Sequence, residues 1–128
     1  MSRQQEIIDI LYSEIISLVG EDVGNRVFEI IAPDNYILPL ITFFVVSDQD
    51  EVLLGDGRIE EITLQISFFG KKSKGIKTLR TISDKFVSEI DGKILENGMT
   101  VKILNKGFTV IENINDENIM IATEIKLN

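Results

Sequence analysis

Cysteine and histidine are both absent from the 128 residues. With them go the strongest common nucleophile and the commonest general base near neutral pH, which excludes most hydrolase and redox mechanisms and the usual zinc ligand sets. The lack of cysteine also fits a reducing compartment. Alanine stands at Ala32 and Ala122 alone against 22 isoleucines, a bias that hints at an AT-rich genome. No stretch approaches the roughly 20 apolar residues that span a bilayer, so no membrane partner is expected. Met1-Ser2-Arg3-Gln4-Gln5 shows no apolar core followed by small residues, so no secretory signal is visible and synthesis in the cytoplasm is the expectation.

What the chain does have is 44% hydrophobic residues and a length near the commonest domain size, which predicts one folded domain over residues 1–128. Its net charge of −8 disfavours general adhesion to nucleic acid, because such binding draws on neutralisation of phosphates by Lys and Arg. The charge is segregated. Asp48 to Glu61 holds six acids against Arg58, while Lys71 to Arg80 holds five bases and no acid. Two solvated surfaces would give this pattern, and so would patches that meet between identical subunits.

Ile7, Ile8, Leu11, Ile15, Leu18 and Val19 fall on one stripe at helical spacing, which predicts an amphipathic helix from Ser2 to Val19. Ser2 with Gln5 can form a capping box, and Gly20 is expected to end the helix at positive φ. Arg26 to Ile31 reads as a short extended run and Ala32 to Pro39 as a stiff bend with two prolines. Leu40 to Val46 reads as the most buried strand, apolar on both faces, which implies a central position or a second face covered by a helix or another subunit. A long polar connection, or arm, follows over about 48–58, with a turn at Gly55-Asp56-Gly57. Its apolar island Val52-Leu53-Leu54 suits either a local pin or a contact with a neighbouring subunit. Ile59 to Phe69 alternates as a half-solvated strand does. Ile76, Leu79, Ile82, Phe86 and Ile90 predict a second amphipathic helix, capped by Ser73 and closed at Asp91-Gly92. Extended pieces at 93–96, 99–104, 108–114 and 119–127 then predict an antiparallel meander. Asn97-Gly98 is its strongest turn, both residues accepting positive φ, and Asn105-Lys106-Gly107 another. The fold class is therefore α+β: a mainly antiparallel sheet flanked by two amphipathic helices, in the order helix, strands, helix, strands.

No residues stand out for catalysis. Among 21 acids a carboxylate pair is expected by chance, and none is singled out. Asp48-Gln49-Asp50-Glu51 fails as a calcium loop, because Val52 stands where a ligand is needed and Leu53 where glycine is needed. Gly55-Asp56-Gly57 and Gly70-Lys71-Lys72-Ser73 are wrongly spaced for a phosphate loop. The bases of Lys71 to Arg80 have no aromatic among them for stacking single strands. The expectation is a protein that is not an enzyme and takes no cofactor or metal.

In order, the leading helix, Arg26-Val27-Phe28, Ala32-Pro33, the strand opened by Pro39, Gln65-Ile66-Ser67-Phe68-Phe69 and the helix after Gly70 resemble the small tail terminator, or tail completion, proteins of tailed bacteriophages. The resemblance covers roughly Ile7 to Ile90. It departs at Ser67, where the family often has aspartate, and in lacking a tryptophan near Phe68 or Phe69. It implies a structural protein made in the host bacterial cytoplasm and built into the virion tail or neck. Such a protein forms a ring, usually of six, that caps the head-proximal end of the tail tube, stops its polymerisation and offers a surface for head attachment. The implied partners are further copies of the chain, the tail tube protein and a head-tail connector protein. DNA would pass through without sequence-specific binding. A head-side joining or stopper protein of the neck, and a monomeric non-enzymatic binding module, are the alternatives. Because such function lies in faces, the candidate subunit-interface residues are Asp48, Asp50, Glu51, Val52, Leu53, Leu54, Asp56 and Glu60 in the arm, and Lys71, Lys72, Lys74, Lys77 and Arg80 in the basic segment.

Overall fold

Helix α1 (Arg3–Val19) turns Ile7, Ile8, Leu11, Ile15 and Val19 into the interior, as the apolar stripe requires. It belongs to a computed structural model that describes residues 3–52, 58–71, 76–110 and 118–128. Ser2 and Ser73, the expected caps, lie outside the described residues. Gly20 does not take the left-handed conformation expected of it. At φ −57° and ψ −41° it continues the helical ladder, its N–H donating to the Ile16 carbonyl at 2.9 Å. One 3-10 turn, Glu21–Val23, follows, and positive φ comes at Gly24 (57°) and Asn25 (58°). Gly20 is glycine for lack of space instead. A Cβ there would run into the Ile16 carbonyl oxygen and lie 2.6 Å from Asn25 Oδ1.

Strand β1 (Val27–Glu29) pairs in parallel with β2 (Leu40–Val52), Val27 opposite Ile41. Arg26 closes the intervening bend at both ends. Its Nε donates to the Pro39 carbonyl at 2.9 Å and its own carbonyl accepts from the Ile41 N–H at 2.9 Å. The proline-led strand and the Arg-Val-aromatic segment are thus stapled together.

β2 pairs antiparallel with β3 (Arg58–Lys71), and the pairing continues out to Val52 opposite Arg58. The arm expected to be a polar connection from Asp48 is therefore strand as far as Val52. A bulge between Val45 and Ser47 leaves Val46 exposed. Helix α2 (Ile76–Ile90) buries Leu79, Ile82, Phe86 and Ile90, with Gly92 at φ 78° beyond its end. Strands β4 (Val101–Val110) and β5 (Asn118–Leu127) pair antiparallel, and β5 pairs with β3. Asn105-Lys106-Gly107 is not a turn. The register shifts on either side of Asn105 absorb it as a bulge inside one strand, so two expected strands are one. The pieces around Asn97-Gly98 make a single bridge, Ile94 to Thr100. Gly98 has φ 87° and its N–H bonds to the Leu95 carbonyl, while Asn97 stays at negative φ and its Oδ1 accepts from the Met99 N–H. This is a four-residue turn with a glycine bulge rather than the two-residue turn expected.

The sheet order is β1-β2-β3-β5-β4, with both helices on one face. The central β3 is more buried than β2: Ile62, Leu64, Ile66 and Phe68 are all fully buried under the helices. On its other side Ser67 is also buried and Gln65 half-buried, so β3 is not half-solvated there. The layers meet in Phe68 against Phe86 (5.7 Å between rings) and Tyr12 against Phe43 (6.5 Å). The fully buried Phe43, Phe68 and Phe86 each contribute about 1.5–3 kcal/mol. Leu79 of α2 packs over the end of β3 at Gly70, its nearest side-chain atom at van der Waals distance, 3.4 Å, from where a Cβ would be. Ion pairs between Lys85 and Asp22 and between Lys93 and Glu14 tie α2 and its exit to the first helical segment at the rim. No helix among the described residues is long and apolar enough to cross a membrane.

Candidate interaction surfaces

Beyond the bulge at Val46, residues 49–52 and 58–61 pair, among the described residues, only with each other, because β1 stops opposite Phe43 and β5 stops opposite Ile62. The sheet thus narrows to a two-stranded ribbon with both outer edges unpaired, and its sequence is acidic. Asp48, opposite Ile62, is exposed on the helix side, where its carboxylate accepts from Gln4 Nε2 at 3.1 Å. Asp50 stands opposite Glu60 and Glu51 opposite Ile59, with Val52 last in the strand. Leu53, Leu54 and Asp56 lie outside the described residues.

At the other end of β3 sits the basic segment. Lys71 is exposed as the last residue of the strand, and Lys77 and Arg80 are exposed on the first turns of α2. Lys72 and Lys74 lie outside the described residues. At about 3.3 Å per residue, the 14 residues of β3 separate the acidic ribbon from Lys71 by tens of ångströms. The described acidic and basic positions therefore lie at opposite ends of β3, and among the described residues they do not meet within one molecule.

A third surface was not among the expected residues. On the face without helices, Leu40, Thr42, Ser67 and Ala122 are buried although they lie outside the helix-side core. The 30–38 bend folds back over this end, enclosing a cleft of about 340 Å³ against Leu40, Thr42 and Phe69. Asn118 at the start of β5 holds it down, its Nδ2 donating to the Tyr36 hydroxyl at 2.9 Å. The bend offers its remaining apolar residues to solvent: Ile30 is 66% exposed, Ile31 78% and Ile37 65%. Toward the ribbon the same face turns polar, with Gln65 donating to Ser67 Oγ at 3.1 Å and Lys126 3.4 Å from Glu61. The two-sided apolarity of Leu40 to Val46 was the sequence signal for this surface. A second cavity, about 330 Å³, shares Leu38 with the first and opens between Pro39, Lys71 and Leu79. Among the described residues, no group of three or more acids is placed to hold a metal ion.

No protein-family model matches the chain, and no curated protein matches it. Solved structures share its fold. A chain of the virion of a native gene transfer agent particle superposes with a TM-score of 0.66 at 12% identity, over 93% of this chain and 90% of that one. A second solved chain gives a TM-score of 0.56 at 10% identity over 94% of both. At such identity the likeness defines a shared fold.

Proposed function

We propose that this chain is a structural component of a phage or phage-like virion, and specifically a tail terminator. It forms a ring, on this reading of six copies, that caps the head-proximal end of the tail tube, halts its growth and presents a surface to the head connector. The observation that carries the reading is the match of nearly the whole chain to a component of a gene transfer agent virion. It joins the motif order from Arg26-Val27-Phe28 to Gln65-Ile66-Ser67-Phe68-Phe69. Function then resides in faces and requires no catalytic group, cofactor or metal. Three features support self-association: the two-stranded acidic ribbon, the basic pole at Lys71, Lys77 and Arg80, and the apolar bend on the open face. Opposite poles at the two ends of one strand suit a head-to-tail contact, which closes into a ring when the rotation per subunit allows. The acidic surplus suits a ring that lets DNA through without holding it.

The test is solution mass by light scattering, with and without assembled tail tube protein. A ring of about six copies, or a monomer that becomes one while tube growth stops, is the expected result. A monomer indifferent to tube but bound by portal or adaptor would replace this reading with the head-side joining protein. Indifference to both would leave a monomeric binding module.

A further inference from the structure

Among the described residues, the most exposed large apolar side chains gather at two diagonally opposite corners of the sheet: Ile30, Ile31 and Ile37 at one, Ile94 at the other. The first corner is the 30–38 bend, beside β1 and at the Lys71 end of β3. Ile30 is held there at φ 71°, a region that β-branched residues rarely enter, and the Ile31 N–H bonds to the Glu29 carbonyl across it at 2.9 Å in a tight three-residue turn. Strain that presents an apolar side chain to water brings the isolated subunit no packing, and such outliers cluster where a surface is used. The second corner is the outer margin of β4 at the other end of β3, since Lys102 stands opposite Lys126 and Lys126 opposite Thr63. Residues 92–94 run along the start of β4, the Val101 N–H donating to the Lys93 carbonyl at 2.9 Å, and leave Ile94 69% exposed. The register shift between Ile103 and Asn105 leaves Leu104 exposed on the same margin.

We propose that the 30–38 bend of one copy packs against the β4 margin of a second copy. The inference rests on the self-associating reading above and names the two faces that meet. Charge complementarity selects the partner. Every charged residue from Val27 to Gly57 is an acid, and the two beside the bend, Glu29 and Asp34, are exposed. Every charged residue from Asn97 to Ile111 is a lysine, Lys102 and Lys106, both exposed. Among the described residues no ion pair engages any of these four. Like charges directly opposite one another repel; Lys126 has Glu61 at 3.4 Å, and an acid from a second copy gives Lys102 the same relief. The two corners cannot meet within one molecule, because the order β1-β2-β3-β5-β4 sets them on opposite margins as well as at opposite ends. Each copy therefore offers one of each, and the contact repeats head to tail. Side chains make it rather than added strand pairing, since lysines and bulges on an edge strand discourage a shared ladder.

The cysteine-free chain permits a direct test. Full-length Ile31→Cys and Leu104→Cys copies, both exposed positions, are mixed with and without assembled tail tube protein and treated with a short bismaleimide. Expected is a product of unlike copies well above either like pair, and a ladder from the double variant. Only like-with-like products, or none under both conditions, overturn the proposal. Charge reversal supplies the second arm. Lys102→Glu with Lys106→Glu in the Leu104→Cys copy should lower the unlike product about tenfold, and Glu29→Lys with Asp34→Lys in the other copy should restore it. All four positions are exposed, so far-UV circular dichroism should stay that of the parent. A yield indifferent to the reversal, or not restored by the exchange, overturns the charge pairing that selects this partner. Crosslinking without any effect on tube growth would retain this interface while removing the terminator reading. Tube capping without the unlike product would do the reverse.

Discussion

Asn118 and Tyr36 stand 82 residues apart in sequence, and the 2.9 Å hydrogen bond from the Asn118 amide to the Tyr36 hydroxyl ties the bend to the first residue of β5. The bend is thus fixed at its middle as well as at the Arg26 staple. Tyr36→Phe and Asn118→Ala should each cost about 0.5–1 kcal/mol in urea unfolding, with a coupling of similar size in the double-mutant cycle. Additive losses would show that the bond contributes nothing in solution.

Arg26 holds both ends of the same bend, through Nε to the Pro39 carbonyl and its own carbonyl to the Ile41 N–H. Arg26→Ala removes the first of these and leaves the half-buried Pro39 carbonyl without its donor. A loss of about 1–3 kcal/mol is expected from denaturation, with amide exchange rising in 30–39 before the rest of the sheet. Uniform protection across the sheet would contradict the staple.

Two glycines should answer differently to alanine. At Gly20 the new methyl meets the Ile16 carbonyl oxygen and Asn25 Oδ1, so the helix exit must shift; at Gly92 it meets nothing within 4 Å and costs only the positive φ, about 1 kcal/mol. Thermal melts should rank Gly20→Ala as the more damaging. The reverse order would mean that backbone conformation, not space, governs at Gly20.

Ser83 Oγ is buried on the inner face of α2 with no hydrogen-bond partner among the described residues. Ser83→Ala removes an unpaired polar atom and raises helix propensity, so it should stabilise by up to about 1 kcal/mol. A destabilised variant would point to a partner for this hydroxyl.

Reversing Lys71, Lys72 and Lys74 to glutamate should weaken assembly while far-UV circular dichroism stays unchanged. Added salt should act in the same direction, since exposed charges are screened beyond about 8 Å at physiological ionic strength. An unchanged oligomer would remove the basic pole from the interface.

Both helices and the central strand were legible because a buried face writes its period into the sequence: Ile7 to Val19, Leu79 to Ile90, and Ile62 to Phe68. β2 was only half legible. From Gln49 onward it lies in a ribbon that lacks other neighbouring strands among the described residues, so charged residues are tolerated there and no alternation marks the strand. Asn105-Lys106-Gly107 has the composition of a turn, and only its pairing with β5 shows that it is a bulge. The positive φ of Ile30 had no local signal, isoleucine being among the residues least suited to it. For the candidate surfaces, the charged positions could be named from sequence, but their separation to opposite ends of β3 emerges only from the pairing. The exposed bend depends on a fold-back that long-range bonds such as Asn118 to Tyr36 hold in place.

The separation of charge along β3 also acts before any contact is made. Acidic positions gather at one end of a 14-residue strand and basic ones at the other, a charge gradient along β3. On the self-associating reading, two copies meeting in solution would turn toward one another pole to pole, and productive encounters would outnumber random ones. Ionic strength would then set how quickly copies find each other, separately from how tightly they hold.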